Sequence, residues 1–400
     1  MKLNIAVIFG GKSVEHEISI LSAQQTIAAV DKEKYNVIPI YLSKNGLFYT
    51  GSMLLNLDNF RDLDKLILNS QQVFLANDKD GNCQLLPAEP GLFSKKILAK
   101  IDVVFPITHG TNGEDGTLQG LLEVLNVPYV GSNVLSSGIT FDKVSTKMAL
   151  ASLNVPMLPY VWFYSSEWLT EQVEILDKIE KTLKYPLIVK PSSLGSSVGV
   201  SAVNDKGELE DAIDLAVSLS SRVLIEPKIE NLREINCSVL GDHEEAAASV
   251  CEEPIHSKEI LSYSDKYLSG AKGKCGCKCS ANKLGGGMES AKRQIPANIP
   301  IKTSEFIQEL AKKVFYELDL SGVVRIDFLL DQKDGQIYLC EVNTIPGSLS
   351  FYLWQPMGID FKDLNSKLIE LALKKYREKN NLIASYNTNI LQNAKLGIKS

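Results

Sequence analysis

The sequence lacks any long apolar run and any excess of positive charge. No stretch of about 18 or more apolar residues occurs among its 400 residues, so no transmembrane helix is expected. Its 42 Lys and Arg residues are outnumbered by 48 Asp and Glu residues, for a formal net charge of -6. Proteins that bind nucleic acid or anionic membranes usually carry a basic face, so neither partner is expected. The apolar run at residues 5–9 is too short for a signal peptide, and we expect a cytoplasmic protein.

Cysteine is scarce and its count is odd, because the chain has seven. An odd count in a large chain without an export signal excludes a disulfide framework. Three of the cysteines, Cys275, Cys277 and Cys279, alternate with Gly and Lys in one short insert. That alternation lacks the spacing of zinc sites, so a solvated insert is favoured over a metal or redox site.

The N-terminal part of the chain alternates strands with helices. Residues 5–9, 35–42 and 101–105 are typical of buried strands, and residues 127–130 of a short one. A helix is predicted over residues 14–30 with Ser13 as its N-cap. Such alternation predicts a parallel sheet covered on both faces. The fold class is therefore expected to be α/β, beginning with a doubly wound parallel-sheet domain over residues 1–131.

Two further domains are predicted, over residues 132–229 and 230–400. The second begins with a helix near residue 143 and contains short strands at 186–190, 199–203 and 222–226. The third contains a strand pair at 323–330 and 336–342 joined by a polar turn, which predicts a β-hairpin. Residues 257–300 show little periodicity, and a loop that long in a compact domain is usually a functional lid or disordered.

The first candidate for chemistry is the run Lys190-Pro-Ser-Ser-Leu-Gly-Ser-Ser-Val-Gly-Val-Ser. A strand ends at a lysine and is followed by serines and glycines, whose N–H and hydroxyl groups suit phosphate oxygens. Composition alone fits a solvent-exposed hairpin slightly better, so both interpretations remain at this point.

The second candidate lies on the predicted hairpin. Glu341 and Asn343 are two residues apart and so share a face of their strand, and Asp327 on the partner strand can lie beside them. Two carboxylates and an amide oxygen suit a Mg²⁺ ion bound to nucleotide phosphates. Arg325 shares the face of Asp327 and suits a phosphate or a developing oxyanion. Four polar groups on otherwise apolar strands disfavour an ordinary solvated face.

Taken together, these runs resemble the D-alanine–D-alanine ligase family of ATP-grasp enzymes. The similar segments appear in the family's order and cover most of the chain. They are AVIFGGKSVEHEIS at 6–19, residues 103–131 with HGTNGEDGTLQG, Asp142-Lys143, residues 190–201, Glu226 onward, and residues 325–347. The resemblance implies an α/β domain followed by two α+β domains that clasp ATP. It also implies ATP-dependent joining of two D-alanines through an acyl phosphate for peptidoglycan precursor synthesis, by a homodimer.

The resemblance also implies roles for particular residues in binding ATP and metal. Two magnesium ions, with manganese as a substitute, are expected on Asp327, Glu341 and Asn343. Glu226 to Ile229 would hold the adenine and Glu234 the ribose. The implied ATP-binding residues are Lys143, Lys190, Ser196, Ser197, Glu226, Pro227, Ile229, Glu234, Lys266 and Asn343.

For the amino-acid substrates, the resemblance places Glu15 at the ammonium group of the first amino acid. Arg325 and the Gly347 N–H would stabilise the oxyanion of the tetrahedral intermediate. The residues expected to act in catalysis or to contact the amino acids are Glu15, His109, Ser196, Tyr267, Arg325, Gly347, Tyr352 and Leu353.

Two positions depart from the family's pattern. Leu261 replaces the aromatic residue that usually lies five positions before Lys266, and Tyr352 replaces the serine that usually binds the second substrate's carboxylate. Ser350 is a possible substitute for that serine. Tyr267, where D-lactate-using relatives usually have histidine, favours an amine as second substrate. These departures leave a second amino acid other than D-alanine, such as D-serine, as the alternative.

Two other classes compete with a ligase. Residues 6–13 satisfy a relaxed P-loop pattern ending at Lys12-Ser13, which raises a P-loop phosphotransferase. Glu15 and Glu17 follow at once and would repel phosphate, so this class is disfavoured. A non-catalytic nucleotide-binding protein would be expected to have lost the metal ligands, and all three are present.

Overall fold

Three β-sheets organise the chain in the computed structural model, which describes residues 2–89, 97–255, 293–383 and 385. Within that part of the chain, no helix is long and apolar enough to cross a membrane. The strands are β1 (Leu3–Gly10), β2 (Tyr35–Leu42), β3 (Phe48–Thr50), β4 (Gln71–Asn77), β5 (Cys83–Pro87), β6 (Ala99–Lys100), β7 (Val103–Ile107), β8 (Val161–Tyr164), β9 (Leu187–Pro191), β10 (Ser201–Val203), β11 (Arg222–Pro227), β12 (Leu232–Gly241), β13 (Ala246–Pro254), β14 (Arg293–Gln294), β15 (Gly322–Asp331) and β16 (Ile337–Asn343).

Helices cover these sheets and connect them. The described helices are α1 (His16–Ala29), α2 (Leu63–Leu68), α3 (Thr117–Val124), α4 (Val134–Phe141), α5 (Lys143–Leu150), α6 (Ser165–Trp168), α7 (Gln172–Thr182), α8 (Lys206–Val217), α9 (Ile301–Glu317), α10 (Phe351–Trp354) and α11 (Phe361–Asn380).

The N-terminal sheet is only partly parallel. Its order is β6-β5-β4-β3-β2-β1-β7, and β1 pairs in parallel with both β2 and β7. The remaining strands, β3 to β6, extend the β2 edge in antiparallel fashion. The predicted α/β character is confirmed, while the antiparallel extension comes from short strands whose composition gave little signal.

The two later sheets are antiparallel. One has the order β10-β9-β11-β8 and the other β14-β13-β12-β15-β16. The β15–β16 hairpin predicted from the sequence is present, with a bulge after Asp327. Each of the two sheets has its own core of buried apolar side chains. The predicted domain boundaries at 131/132 and 229/230 stay predictions.

The short helix α10 ties the third sheet to the N-terminal sheet. Leu353 and Trp354 are fully buried in the same core as Val7 and Phe9 of β1. The indole N–H of Trp354 donates to Ser238 Oγ on β12 at 3.1 Å. The segment before α10 is therefore held between two sheets, which fixes its position beside the polar face described below.

Some local predictions were wrong. The N-cap of α1 is Glu15 rather than Ser13, whose hydroxyl instead accepts a hydrogen bond from Glu15 N at 3.1 Å. The strand expected over residues 127–130 is a single bridge between Tyr129 and Val104. Tyr129 and Val130 pack into different cores on the two sides of this bridge.

Candidate active site

A row of polar side chains crosses one face of the third sheet. Glu341 on β16 lies directly opposite Asp327 on β15, and Asp327 lies opposite Asn236 on β12. Asn236 in turn lies opposite Glu252 on β13. Residues paired across strands share a face of the sheet. Four strands therefore present two carboxylates, an amide and a third carboxylate in one line.

A second row runs beside the first, two residues along each strand. Arg325 pairs in register with Asn343 on one side and with Ser238 on the other. Its guanidinium donates to both carboxylate oxygens of Asp327 at 2.7 Å. Asn343 Nδ2 also donates to Asp327 Oδ2 at 3.1 Å. The structure thus brings together all four residues that the sequence pattern placed on this hairpin.

The electrostatics of Asp327 suit a bound cation. Burial, with smaller contributions from the charges of Glu341 and Glu252, raises the pKa of Asp327 to about 6 against the opposing effect of Arg325. A nearby divalent cation would relieve this repulsion. Among the described residues, no group of three His, Cys, Asp or Glu side chains is placed to hold a metal. A metal here would be held by Asp327, Glu341 and the Asn343 carbonyl together with phosphate oxygens, which is typical of Mg²⁺.

Two lysines, one on helix α5 and one on strand β9 of the second sheet, lie near this row. Lys143, the first residue of α5, donates to the Leu194 carbonyl at 2.7 Å, and its Nζ lies 3.5 Å from Glu341 Oε2. Lys190 on β9 lies 2.6 Å from Glu226 Oε2 on the adjacent strand β11. Burial lowers the pKa of Lys190, but Glu226 outweighs that effect and the pKa is raised.

Lys147 belongs to the same cluster although the sequence analysis did not single it out. Its Nζ lies 2.6 Å from Glu226 Oε1, and both side chains are only 4% exposed. Burial alone would raise the pKa of Glu226, but Lys190 and Lys147 together lower it. The available signal was its spacing, since Lys147 lies four residues after Lys143 and so on the same face of α5.

Glu15 joins the N-terminal part of the chain to the serine loop. Glu15 is buried, and its Oε1 accepts a hydrogen bond from the hydroxyl of Ser196. A Cβ atom on Gly195 would lie 2.6 Å from Glu15 Oε2, so a larger residue there would displace the Glu15 carboxylate. Ser196 and Ser197 have left-handed φ values of 53° and 58°. The loop of 192–199 is therefore folded against Glu15 rather than open to solvent.

His109 is linked to the segment after Gly347 through Ser22, which the sequence analysis did not identify. The Ser22 hydroxyl lies 2.9 Å from His109 Nε2 and accepts from Ser348 N at 3.1 Å. Ser348, Leu349 and Ser350 all have left-handed φ values between 50° and 52°. Non-glycine residues in that region store strain, which is often found at functional sites.

Glu114, within the motif HGTNGEDGTLQG, also links the loop that carries His109 to the segment that leads to Gly347. Its two carboxylate oxygens accept from Gly110 N at 2.8 Å and from Ile345 N at 3.1 Å. Burial, and then the charge of Glu15, raise the pKa of Glu114 to about 8. The loop carrying His109 and the segment leading to Gly347 are thereby held in one arrangement.

The remaining predicted residues lie around this centre. Tyr352 and Leu353 are buried in α10, Pro227 ends β11, Ile229 lies in the connection to β12, and Glu234 pairs in register with Leu329. Lys266 and Tyr267 lie outside the described residues, as do Leu261, the cysteine insert and most of the predicted lid.

The burial of His109 predicts a dependence of stability on pH. Burial lowers the pKa of His109 to about 4 from 6.5. Between those values the unfolded chain binds a proton that the folded protein does not, so the free energy of unfolding falls as the pH falls through this window. In urea denaturation, His109→Gln is expected to show a shallower loss over this range than the parent. The exposed His243→Gln is the control, and an identical pH slope in His109→Gln and the parent would contradict the assignment.

A mixed sheet followed by two antiparallel sheets, with Lys190 on one and the carboxylates of Asp327 and Glu341 on the other, defines the ATP-grasp class. Solved structures agree. The VanG D-Ala:D-Ser ligase from Enterococcus faecalis has a TM-score of 0.75 at 30% identity, covering 93% of this chain and 100% of that one. The D-alanine-D-alanine ligase from Coxiella burnetii has a TM-score of 0.74 at 29% identity, covering 95% and 96%.

Sequence comparisons identify the family within that class. A model described as "D-ala D-ala ligase N-terminus" matches residues 4–132, and one described as "D-ala D-ala ligase C-terminus" matches 149–286 and 282–370. The D-alanine–D-alanine ligase of Thermosipho melanesiensis is 40% identical over 391 residues, 98% of each chain. That of Heliobacterium modesticaldum is 38% identical, covering 95% of this chain and 97% of its own. The chain belongs to the D-alanine–D-alanine ligase family.

Proposed function

We propose that this chain joins two molecules of D-alanine with ATP, through an acyl phosphate, and so supplies D-alanyl-D-alanine for peptidoglycan precursors. The observation that carries the proposal is the polar row of the third sheet, where Asp327, Glu341 and Asn343 adjoin Arg325 and face Lys143. Oxygen ligands beside a guanidinium and an ammonium suit phosphoryl transfer, which needs positioning and neutralisation of charge.

ATP is proposed to lie between the second and third sheets. Lys143, Lys190 and the Ser196–Ser197 backbone suit its phosphates, because cations and N–H groups neutralise phosphate oxygens. The segment from Glu226 through Pro227 to Ile229 would hold the adenine, and Glu234 the ribose. Two Mg²⁺ ions, replaceable by Mn²⁺, would be held by Asp327, Glu341 and Asn343, where they would withdraw charge from the phosphates.

Chemistry proceeds in two steps at this centre. The carboxylate of the first D-alanine, whose ammonium group Glu15 holds, attacks the γ-phosphorus of ATP, and ADP leaves. The neutral amine of the second D-alanine then attacks the carbonyl carbon of the acyl phosphate and a C–N bond forms. The nitrogen gives up one proton, and inorganic phosphate leaves with the electrons of the C–O bond. The tetrahedral intermediate between C–N bond formation and loss of phosphate carries an oxyanion, which Arg325 and the Gly347 N–H stabilise. His109 lies on the substrate side, where Ser22 fixes its ring.

The partners in this proposal are small amino acids and ATP, with neither nucleic acid nor membrane. We also propose that the chain works as a homodimer in the cytoplasm, as the family resemblance implies. One alternative substrate has a specific observation in its favour. The VanG neighbour is a D-Ala:D-Ser ligase, and Tyr352 departs from the family's serine, so D-serine is the second candidate acceptor.

A direct assay tests the function. The purified chain is supplied with Mg²⁺-ATP and D-alanine alone, and then with D-alanine plus D-serine, D-lactate or L-alanine. ADP release is followed and products are identified by mass. D-alanyl-D-alanine formed from D-alanine alone supports the proposal. ADP release only with D-serine would move the function to the alternative, and no ADP release with any mixture would refute both.

A further inference from the structure

The position expected to bind the carboxylate of the second amino acid holds a tyrosine whose hydroxyl faces another carboxylate. Tyr352 is buried, and its hydroxyl lies 3.4 Å from Glu252 Oε1. A phenol has a single proton to donate. A hydroxyl directed at Glu252 cannot also donate to a substrate carboxylate, so the family's serine is not simply replaced by this phenol.

A second side chain that the sequence analysis did not identify lies on Tyr352. The guanidinium carbon of Arg293 lies 3.9 Å from the centre of the Tyr352 ring. Arg293 Nη1 also lies 3.1 Å from Glu252 Oε2, and the two side chains are 11% and 2% exposed. Arg293 is placed by β14, which pairs with the end of β13 two residues beyond Glu252. A guanidinium stacked on an aromatic ring and anchored by a carboxylate is strongly oriented.

The sheet places the Arg293 guanidinium at the Glu252 end of the polar row, away from Asp327 and Glu341. Glu252 is two strands away from Asp327 along the polar row, which corresponds to about 10 Å at the usual spacing of strands. Arg325, the proposed oxyanion-binding residue, lies on the same strand as Asp327, close enough to Tyr352 and Glu252 to interact electrostatically with both. An amino acid whose amine reacts near Arg325 can therefore direct its carboxylate toward Arg293.

A buried hydroxyl in the neighbouring segment supports a ligand at this end. Ser350 is completely buried in its left-handed turn, and among the described residues its Oγ has no hydrogen-bond partner. A buried polar atom without a partner is rare in folded proteins and requires an explanation. A carboxylate oxygen of the substrate would supply the missing acceptor.

We propose that Arg293, stacked on Tyr352 and anchored by Glu252, receives the carboxylate of the second amino acid. The proposal rests on the ligase activity proposed above and deepens it. A guanidinium offers a planar pair of N–H donors that matches a carboxylate, as a serine hydroxyl does not. This chain is therefore expected to select second substrates that carry a free carboxylate.

Comparing two acceptors separates the effect of a variant on the site of the second amino acid from its effect on formation of the acyl phosphate. Hydroxylamine traps the acyl phosphate as D-alanine hydroxamate and has no carboxylate, whereas D-alanine gives the dipeptide. Arg293→Gln is expected to lower dipeptide formation by about 10- to 100-fold, as for loss of a hydrogen bond to a charged group. Hydroxamate formation and the KM for ATP stay close to those of the parent. Arg293→Lys keeps the charge but loses the planar pair of N–H donors. Its rate of dipeptide formation is therefore expected to lie between those of the parent and Arg293→Gln.

The matched control is Arg233→Gln. Arg233 pairs with Glu253, the neighbour of Glu252 on the opposite face of β13, with both nitrogens at 2.8 Å or less. Its ratio of dipeptide to hydroxamate is expected to equal that of the parent. The proposal is overturned if Arg293→Gln keeps the parent ratio, or if both products fall equally. Absence of both products in the parent would instead refute the ligase activity itself.

Discussion

Replacing Glu341 with glutamine is expected to lower kcat, at saturating ATP and D-alanine, by at least about a hundredfold. The change keeps the shape of the side chain but removes one of the two carboxylates that face each other across β15 and β16. Charge stabilisation by a bound divalent cation contributes several kcal/mol to phosphoryl transfer, and each 1.4 kcal/mol is about tenfold in rate. The concentration of Mg²⁺ needed for half-maximal rate is expected to rise at the same time. Steady-state rates over a magnesium titration measure both effects.

The control for this experiment is Glu253→Gln on the same sheet. Glu253 is ion-paired with Arg233 and lies on the face away from the polar row. It is expected to leave the magnesium dependence unchanged. If Glu341→Gln kept the parent rate with the parent magnesium dependence, the assignment of this row as the metal site would be wrong.

The second large effect is expected at Lys147. Lys147→Met leaves the buried carboxylate of Glu226 with Lys190 as its one cationic partner within the described part of the chain. Breaking a buried ion pair by removing one partner usually costs about 3–5 kcal/mol, because the other charge stays buried and uncompensated. Because Lys190 still compensates part of the charge of Glu226, we expect a loss near the lower end of this range in the free energy of unfolding, measured by urea denaturation. We also expect a raised KM for ATP, since Lys190 would be held more tightly by Glu226 and be less available to phosphate.

Two variants make that result specific. Lys181→Met removes an ion pair with Asp177 whose side chains are 74% and 56% exposed, and such pairs contribute little. It is expected to change stability only slightly. The double variant Lys147→Met with Glu226→Gln also removes the carboxylate partner of the buried Lys190 and is expected to be less stable than Lys147→Met alone. Equal stability of Lys147→Met and Lys181→Met would show that the buried pair contributes little.

The hairpin residues were predictable because their relations are local. The spacing of Glu341 and Asn343 defines a shared face, and the short turn between β15 and β16 determines which strand lies opposite. Register then places Asp327 against Glu341 and Arg325 against Asn343. The phosphate loop could not be settled in this way. Contacts with distant residues, such as those of Ser196 with Glu15 and of Leu194 with Lys143, distinguish it from a solvent-exposed hairpin.

The residues that were missed depend on long-range packing. β13 contains a run of alanines that weakens its strand signal, so Glu252 had no predicted position. Arg293 meets Tyr352 only because β14 pairs with β13 and α10 packs against the same sheet. Ser22 and Glu114 accept hydrogen bonds from the backbone N–H groups of residues 348 and 345, respectively, which no side-chain pattern reveals. The N-cap of α1 was misplaced because Glu15 is directed toward Ser196 rather than toward the helix.

The most direct test of the proposed chemistry follows one oxygen atom. D-alanine labelled with ¹⁸O in its carboxylate is turned over with Mg²⁺-ATP, and the inorganic phosphate released is analysed by mass. If the carboxylate attacks the γ-phosphorus at the centre formed by Arg325, Asp327 and Glu341, each phosphate released with a dipeptide carries one ¹⁸O atom. Phosphate without label, released together with dipeptide, would contradict an acyl phosphate and with it this account of the site.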